Sequence, residues 1–69
     1  MQIFINTFAG YSAIINVLSD YTIEQIKSII KEKRVFHNPF NLVYKNICLE
    51  DSLTLADYGI EDRDTIIIL

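Results

Sequence analysis

Over the first residues, apolar and polar side chains partly alternate, with Ile3 and Ile5 on one side and Gln2 and Asn6 on the other, the two-residue period of a strand. Phe4 interrupts the alternation and is expected to face outward. Gly10 supplies the positive φ that a hairpin bulge needs, and the β-branched stretch from Ala13 to Val17 predicts the return strand. From Thr22 the period changes. Thr22 followed by Gln25 is a capping-box signature, so a helix is expected from Ile23. Ile23, Ile26 and Ile30, widened by Ile29, then form one apolar stripe, while Glu24, Lys27, Lys31 and Glu32 occupy other faces. Proline disfavours helical geometry in the residue before it, so Asn38-Pro39 cannot continue this helix, which should end near Arg34 or Val35. Phe40 to Tyr44 predicts a third strand, Lys45-Asn46 a turn, Cys48-Leu49 a short strand, and Leu53 to Ile60 an irregular turn. The nearly continuous apolar run Thr65-Ile66-Ile67-Ile68-Leu69 suits a central strand covered on one face by the helix.

This order describes an α+β chain with one helix packed across a mixed sheet. If the first and last strands pair in parallel at the centre, the helix provides the crossover and the architecture is a β-grasp in β-β-α-β-β order. The expected inward set is Ile3, Ile5, Ala13, Ile15, Val17, Ile23, Ile26, Ile30, Leu42, Leu49, Leu55, Ile60, Ile66 and Ile68. Each large member contributes about 1.5–3 kcal/mol on burial, and the sum opposes the ordering entropy only if nearly all are inside. A length of 69 residues leaves room for one such core, and hence for one domain over residues 1–69.

Composition narrows the function. The single cysteine, Cys48, has no internal disulfide partner, and with the single His37 it makes no metal-ligand cluster, so no metal or cofactor is expected. Cys48 is expected to be a small packing residue, and His37, in the Phe36-His37-Asn38-Pro39 loop, a surface residue. No segment has the length of a membrane span, and the amino terminus lacks a signal-peptide pattern, so a cytoplasmic or nuclear setting without membrane contact is expected. The net charge of −3, with Glu50, Asp51, Asp57, Glu61, Asp62 and Asp64 close together, is opposite to what nucleic-acid binding needs. The basic run Lys31-Glu32-Lys33-Arg34 reads as a solvated face that complements the helix dipole. Neither Glu50-Asp51 nor Glu61-Asp62 has a cleft to separate its proton affinities, so both pairs read as loop chemistry and the chain is not expected to be an enzyme.

Several separated blocks resemble the ubiquitin family in register over essentially the whole chain. They are Met1-Gln2-Ile3-Phe4-Ile5-Asn6-Thr7 with Gly10, Thr22-Ile23-Glu24-Gln25-Ile26-Lys27 through Lys33, and Leu49-Glu50-Asp51-Ser52-Leu53-Thr54-Leu55-Ala56-Asp57-Tyr58-Gly59-Ile60. A one-residue deletion between Val35 and Asn41 is needed to keep them aligned. The resemblance implies that Tyr58 hydrogen-bonds the Glu50-Asp51 loop and that Lys27 pairs with Asp51. It also implies that Phe8, Val43 and Leu69 match the three aliphatic residues of the family's principal binding patch.

Subtracting the inward set leaves Phe4, Phe8, Ile14, Leu18, Tyr21, Val43, Tyr44, Ile47, Ile67 and Leu69 for the surface, more apolar area than a small monomer usually exposes. Phe8, Val43 and Leu69, flanked by Ile47 and Ile67, are the expected protein-binding patch, with Phe4 and Tyr44 as secondary exposed apolar residues. The expected partners are ubiquitin-receptor or proteasome-type proteins, or another domain of the parent protein, with the chain itself a monomer or weak homodimer. A self-associating unit that pairs through Phe4, Ile14 and Tyr44 is a further possibility. The family pattern carries arginine, lysine and histidine at the places of Asn41, Ile47 and Ile67, so the cationic rim is missing and acidic partner helices should bind less well. Ile47 and Asp62 also replace the two best-known linkage lysines. The sequence ends at Leu69 without a glycine-terminated tail, and as given is expected not to be conjugated. The alternative is a diverged covalent modifier whose tail lies outside this sequence.

Overall fold

A computed structural model describes residues 1–7, 10–33 and 40–69. Phe8, His37, and the helix end expected at Arg34 or Val35 lie outside the described residues.

The opening hairpin joins β1 (Gln2–Thr7) to β2 (Ser12–Asn16) in antiparallel register, Phe4 opposite Ile14 and Asn6 opposite Ser12. Gly10 takes φ +88° and donates to the Thr7 carbonyl at 3.2 Å, while Thr7 N–H reaches the Tyr11 carbonyl at 2.9 Å. Helix α1 (Ile23–Glu32) begins with the expected capping box: Thr22 Oγ1 accepts from Gln25 N–H at 3.2 Å, and the Gln25 side chain accepts from Thr22 N–H at 2.8 Å. The neighbouring amides of this turn are also satisfied, Ile23 by the Leu53 carbonyl and Glu24 by that of Asp51. The 50s loop is therefore docked on the helix start by backbone bonds as well as by the Lys27 ammonium, 2.6 Å from the Asp51 carboxylate. Lys33, the last described residue of this segment, caps the helix after Glu32 with its N–H bonded to the Ile29 carbonyl.

Three short strands complete the sheet: β3 (Leu42–Tyr44), β4 (Ile47–Cys48) and β5 (Thr65–Ile68). Lys45 and Asn46, both at positive φ, make the two-residue turn between β3 and β4, and this register puts β4 one residue earlier than the expected Cys48-Leu49. The segment expected as an irregular turn contains a 3₁₀ turn at Ala56–Tyr58, and Tyr58 Oη accepts the Glu50 N–H at 2.8 Å. The strands run in the order β2-β1-β5-β3-β4, with β1 and β5 parallel at the centre and the other pairs antiparallel. One helix across such a mixed sheet is the β-grasp architecture.

The core forms where Ile23, Ile26 and Ile30 meet the inward side of the sheet at Ile3, Ile5, Ile15, Leu42, Ile66 and Ile68. Val17, Leu49, Leu55 and Ile60 close it, and of the expected inward set only Ala13, on an edge strand, is half-buried. Expectations are corrected at Tyr21, Tyr44 and Cys48, and the third strand begins at Leu42 rather than at the expected Phe40. Phe40 is buried although it precedes β3, and Tyr21 packs half-buried against the core. Tyr44, expected at the surface, is buried because its ring lies inward beside Leu42 and Leu49 on the same sheet side while its hydroxyl finds a carboxylate. Cys48, expected to pack, is exposed because it stands on the edge strand with its side chain on the sheet's outer side.

The two supports of the helix differ in size. Ile26→Ala empties a fully buried position and is expected to lower unfolding free energy by about 2–5 kcal/mol, whereas Thr22→Ala removes a solvent-facing cap and should cost about 1 kcal/mol. Urea denaturation with an unchanged slope checks both, and equal losses would contradict this division.

Candidate protein-interaction site

The outer side of the sheet carries the candidate site. Val43 pairs with Ile67 across β3 and β5, while Leu42 pairs with Ile68. Cross-strand partners share a face, and successive residues alternate between faces, so Leu42 and Ile68 go into the core as Val43 and Ile67 turn out. Leu69 continues this outward row, its N–H and carbonyl each bonded to Asn41 at 3.0 Å. Ile67 and Leu69 are 44% and 52% exposed and Val43 is half-buried. With Asn6, Thr7 and Asn46 they line one open depression.

The other candidate residues are placed differently. Phe8 is outside the described residues. Ile47 is exposed but pairs with Tyr44, so alternation sets it on the opposite sheet side from Val43, and it does not line the depression. Cys48 is the residue that stands across from Val43. The sequence signal that could have shown this is the two-residue turn at Lys45-Asn46, which fixes the register of β4. Phe4 is half-buried and belongs to a second depression with Ser12, Ile14 and Thr65, and Asn6 lines both.

None of the side chains lining the Val43 depression is ionisable. The charged groups at this end of the sheet are engaged with their own neighbours. The Tyr44 hydroxyl donates to Asp64 at 2.7 Å, and the same carboxylate accepts the Glu61 N–H at 2.8 Å, while Lys45 lies over the Tyr44 ring. The Glu61 amide bond, followed by the Tyr44 bond, holds the Asp64 carboxyl below the usual carboxylate range. The hydrogen bond to that carboxylate, with burial, pushes the Tyr44 phenol above its usual value. This linkage ties the end of β3 to the residue before β5, and so fixes the strands that carry Val43 and Ile67. Among the described residues, no group of three or more His, Cys, Asp or Glu side chains is placed to hold a metal ion, and no helix is long and apolar enough to cross a membrane.

The ubiquitin family model matches residues 3–69. The chain belongs to the ubiquitin family. In this ubiquitin-family domain the Tyr58 bond to Glu50 and the Lys27 pair with Asp51 are present, and both fasten the 50s loop rather than face the depression.

The Asp64 linkage has a defined pH dependence. A carboxyl whose pKa is lowered on folding contributes stability that is present above its unfolded pKa and is lost as pH falls through the folded value. Wild type should therefore exceed Asp64→Asn in thermal stability at neutral pH, with the difference shrinking as pH drops below the usual carboxylate range. Thermal melts across acid pH check this, and a pH-independent difference would contradict it.

Proposed function

We propose that this ubiquitin-family domain works as a non-catalytic docking module of the ubiquitin–proteasome system, binding other proteins non-covalently through the depression formed by Val43, Ile67 and Leu69. The observation that carries this reading is the grouping of those three apolar side chains on the uncovered side of the sheet, edged by the neutral residues Asn6, Thr7 and Asn46. Phe8 joins the patch on the family resemblance, and Cys48 takes the flanking place first expected of Ile47. Chain building on this domain is disfavoured by Ile47 and Asp62 standing at the linkage lysine positions, and by Lys27 being tied to Asp51.

A neutral edge has a consequence for partner choice. Affinity comes from apolar contact, so the preferred partners present an apolar helix or small-domain surface without an acidic flank, and binding depends little on salt. Ubiquitin-receptor-type proteins and a further domain of the parent protein both fit this chemistry.

A quantitative pull-down from cells with wild type, Val43→Asp and Ile14→Asp tests the reading. Val43→Asp should reduce recovery of the specific partners at least tenfold, about 1.4 kcal/mol, while Ile14→Asp, outside the depression, should not. Equal recovery with wild type and Val43→Asp would contradict it.

A further inference from the structure

The sheet has two free edges, β2 and β4, and they differ in how they are protected. Strand β4 is two residues long and is flanked by Lys45, Glu50 and Asp51, and short charged edges resist pairing with other chains. Strand β2, Ser12-Ala13-Ile14-Ile15-Asn16, is longer and contains neither a charge nor a proline. Its outer surface adjoins Phe4, which pairs with Ile14.

The hydrogen-bond phase of the hairpin tells which backbone groups face the free edge. Met1 and Val17 exchange both bonds at 2.8 Å, and Thr7 N–H bonds the Tyr11 carbonyl. In an antiparallel ladder such pairs alternate with unbonded ones, so Ala13 and Ile15 also bond inward to β1. The N–H and carbonyl groups of Ser12, Ile14 and Asn16 therefore point away from β1, and no strand lies beyond β2 among the described residues. The side chains of these same three residues are exposed.

We infer that the β2 edge is a self-pairing surface, on which a second copy of the chain sets its own β2 antiparallel across a twofold axis at Ile14. The strand is self-complementary in that register. Ile14 exchanges both backbone bonds with the partner's Ile14, and Ser12 does so with the partner's Asn16, so every outward donor meets an acceptor. A twofold axis brings equivalent residues together, which would repel if they were charged. Here the net charge of −3 lies elsewhere: Asp62, for example, accepts the Gln2 N–H on the side of β1 away from β2. Side chains favour the same geometry, because Ile14, 54% exposed, meets its copy and joins the two Phe4 depressions into one apolar strip. The Val43 depression lies across β5 and stays open in the dimer.

Analytical ultracentrifugation of wild type, Ile14→Lys and Val43→Asp from micromolar to millimolar concentration tests this, together with amide exchange of the wild type at both ends of the series. Wild type and Val43→Asp should dimerise alike, Ile14→Lys should weaken the dimer at least tenfold, and the Ser12, Ile14 and Asn16 amides should exchange more slowly as concentration rises. A monomer throughout would overturn the inference, as would a dimer that Val43→Asp abolishes and Ile14→Lys does not. If Ile14→Lys fails to fold, unchanged wild-type exchange at those amides overturns the inference and slowed exchange upholds it.

Discussion

A single ten-residue helix set against five strands can cover one side of the sheet and not the other, because each strand sends successive side chains to opposite sides. The effect is sharpest on β5 and its extension. Ile66 and Ile68 are almost fully buried beneath the helix, whereas Ile67 and Leu69 stand about half exposed on the far side. Four consecutive apolar residues thus divide between holding the fold and furnishing a surface. Because the two sets share a backbone, the rigidity that the core gives to Ile66 and Ile68 also fixes Ile67 and Leu69, and the depression is preformed.

The acidic residues near the carboxyl end make sense within this frame. Asp51 pairs with Lys27, and Asp57, Asp62 and Asp64 accept the amides of Thr54, Gln2 and Glu61. Asp57, Asp62 and Asp64 thereby satisfy backbone amides that the sheet leaves unpaired, a use of aspartate typical of turns and loops. With those charges tied to turns, the outer depression is left neutral. On the proposed function, partners are selected by apolar shape, with little long-range steering by charge.

Much of the fold was legible in the sequence because local and tertiary signals agree. The stripe of Ile23, Ile26 and Ile30, the Thr22–Gln25 capping box and the Gly10 bulge each act within a few residues, where period and turn chemistry are informative. What could not be read depends on pairing between distant segments. Tyr44 follows the alternation that turns Leu42 inward and Val43 outward, but burying its phenol depends on Asp64, twenty residues on, and no local pattern signals that bond. Whether Ile47 or Cys48 stands beside Val43 depends on one residue of register, and a slip of one reverses every side chain of a strand. Along β5 and its extension, alternation separates the outward Ile67 and Leu69 from the inward Ile66 and Ile68, whereas on the three-residue β3 the outward place of Val43 came from the family resemblance.

The most direct measurement of the central claim is side-chain solvent accessibility in the isolated domain. Methyl NMR with a soluble paramagnetic relaxation agent reads it residue by residue, at concentrations low enough to exclude association. The methyl signals of Val43, Ile67 and Leu69 should broaden strongly while those of Leu42, Ile66 and Ile68 stay protected. Protection of Val43 and Leu69 to the level of Ile66 would mean that the monomer covers its own outer face, and the account would be wrong.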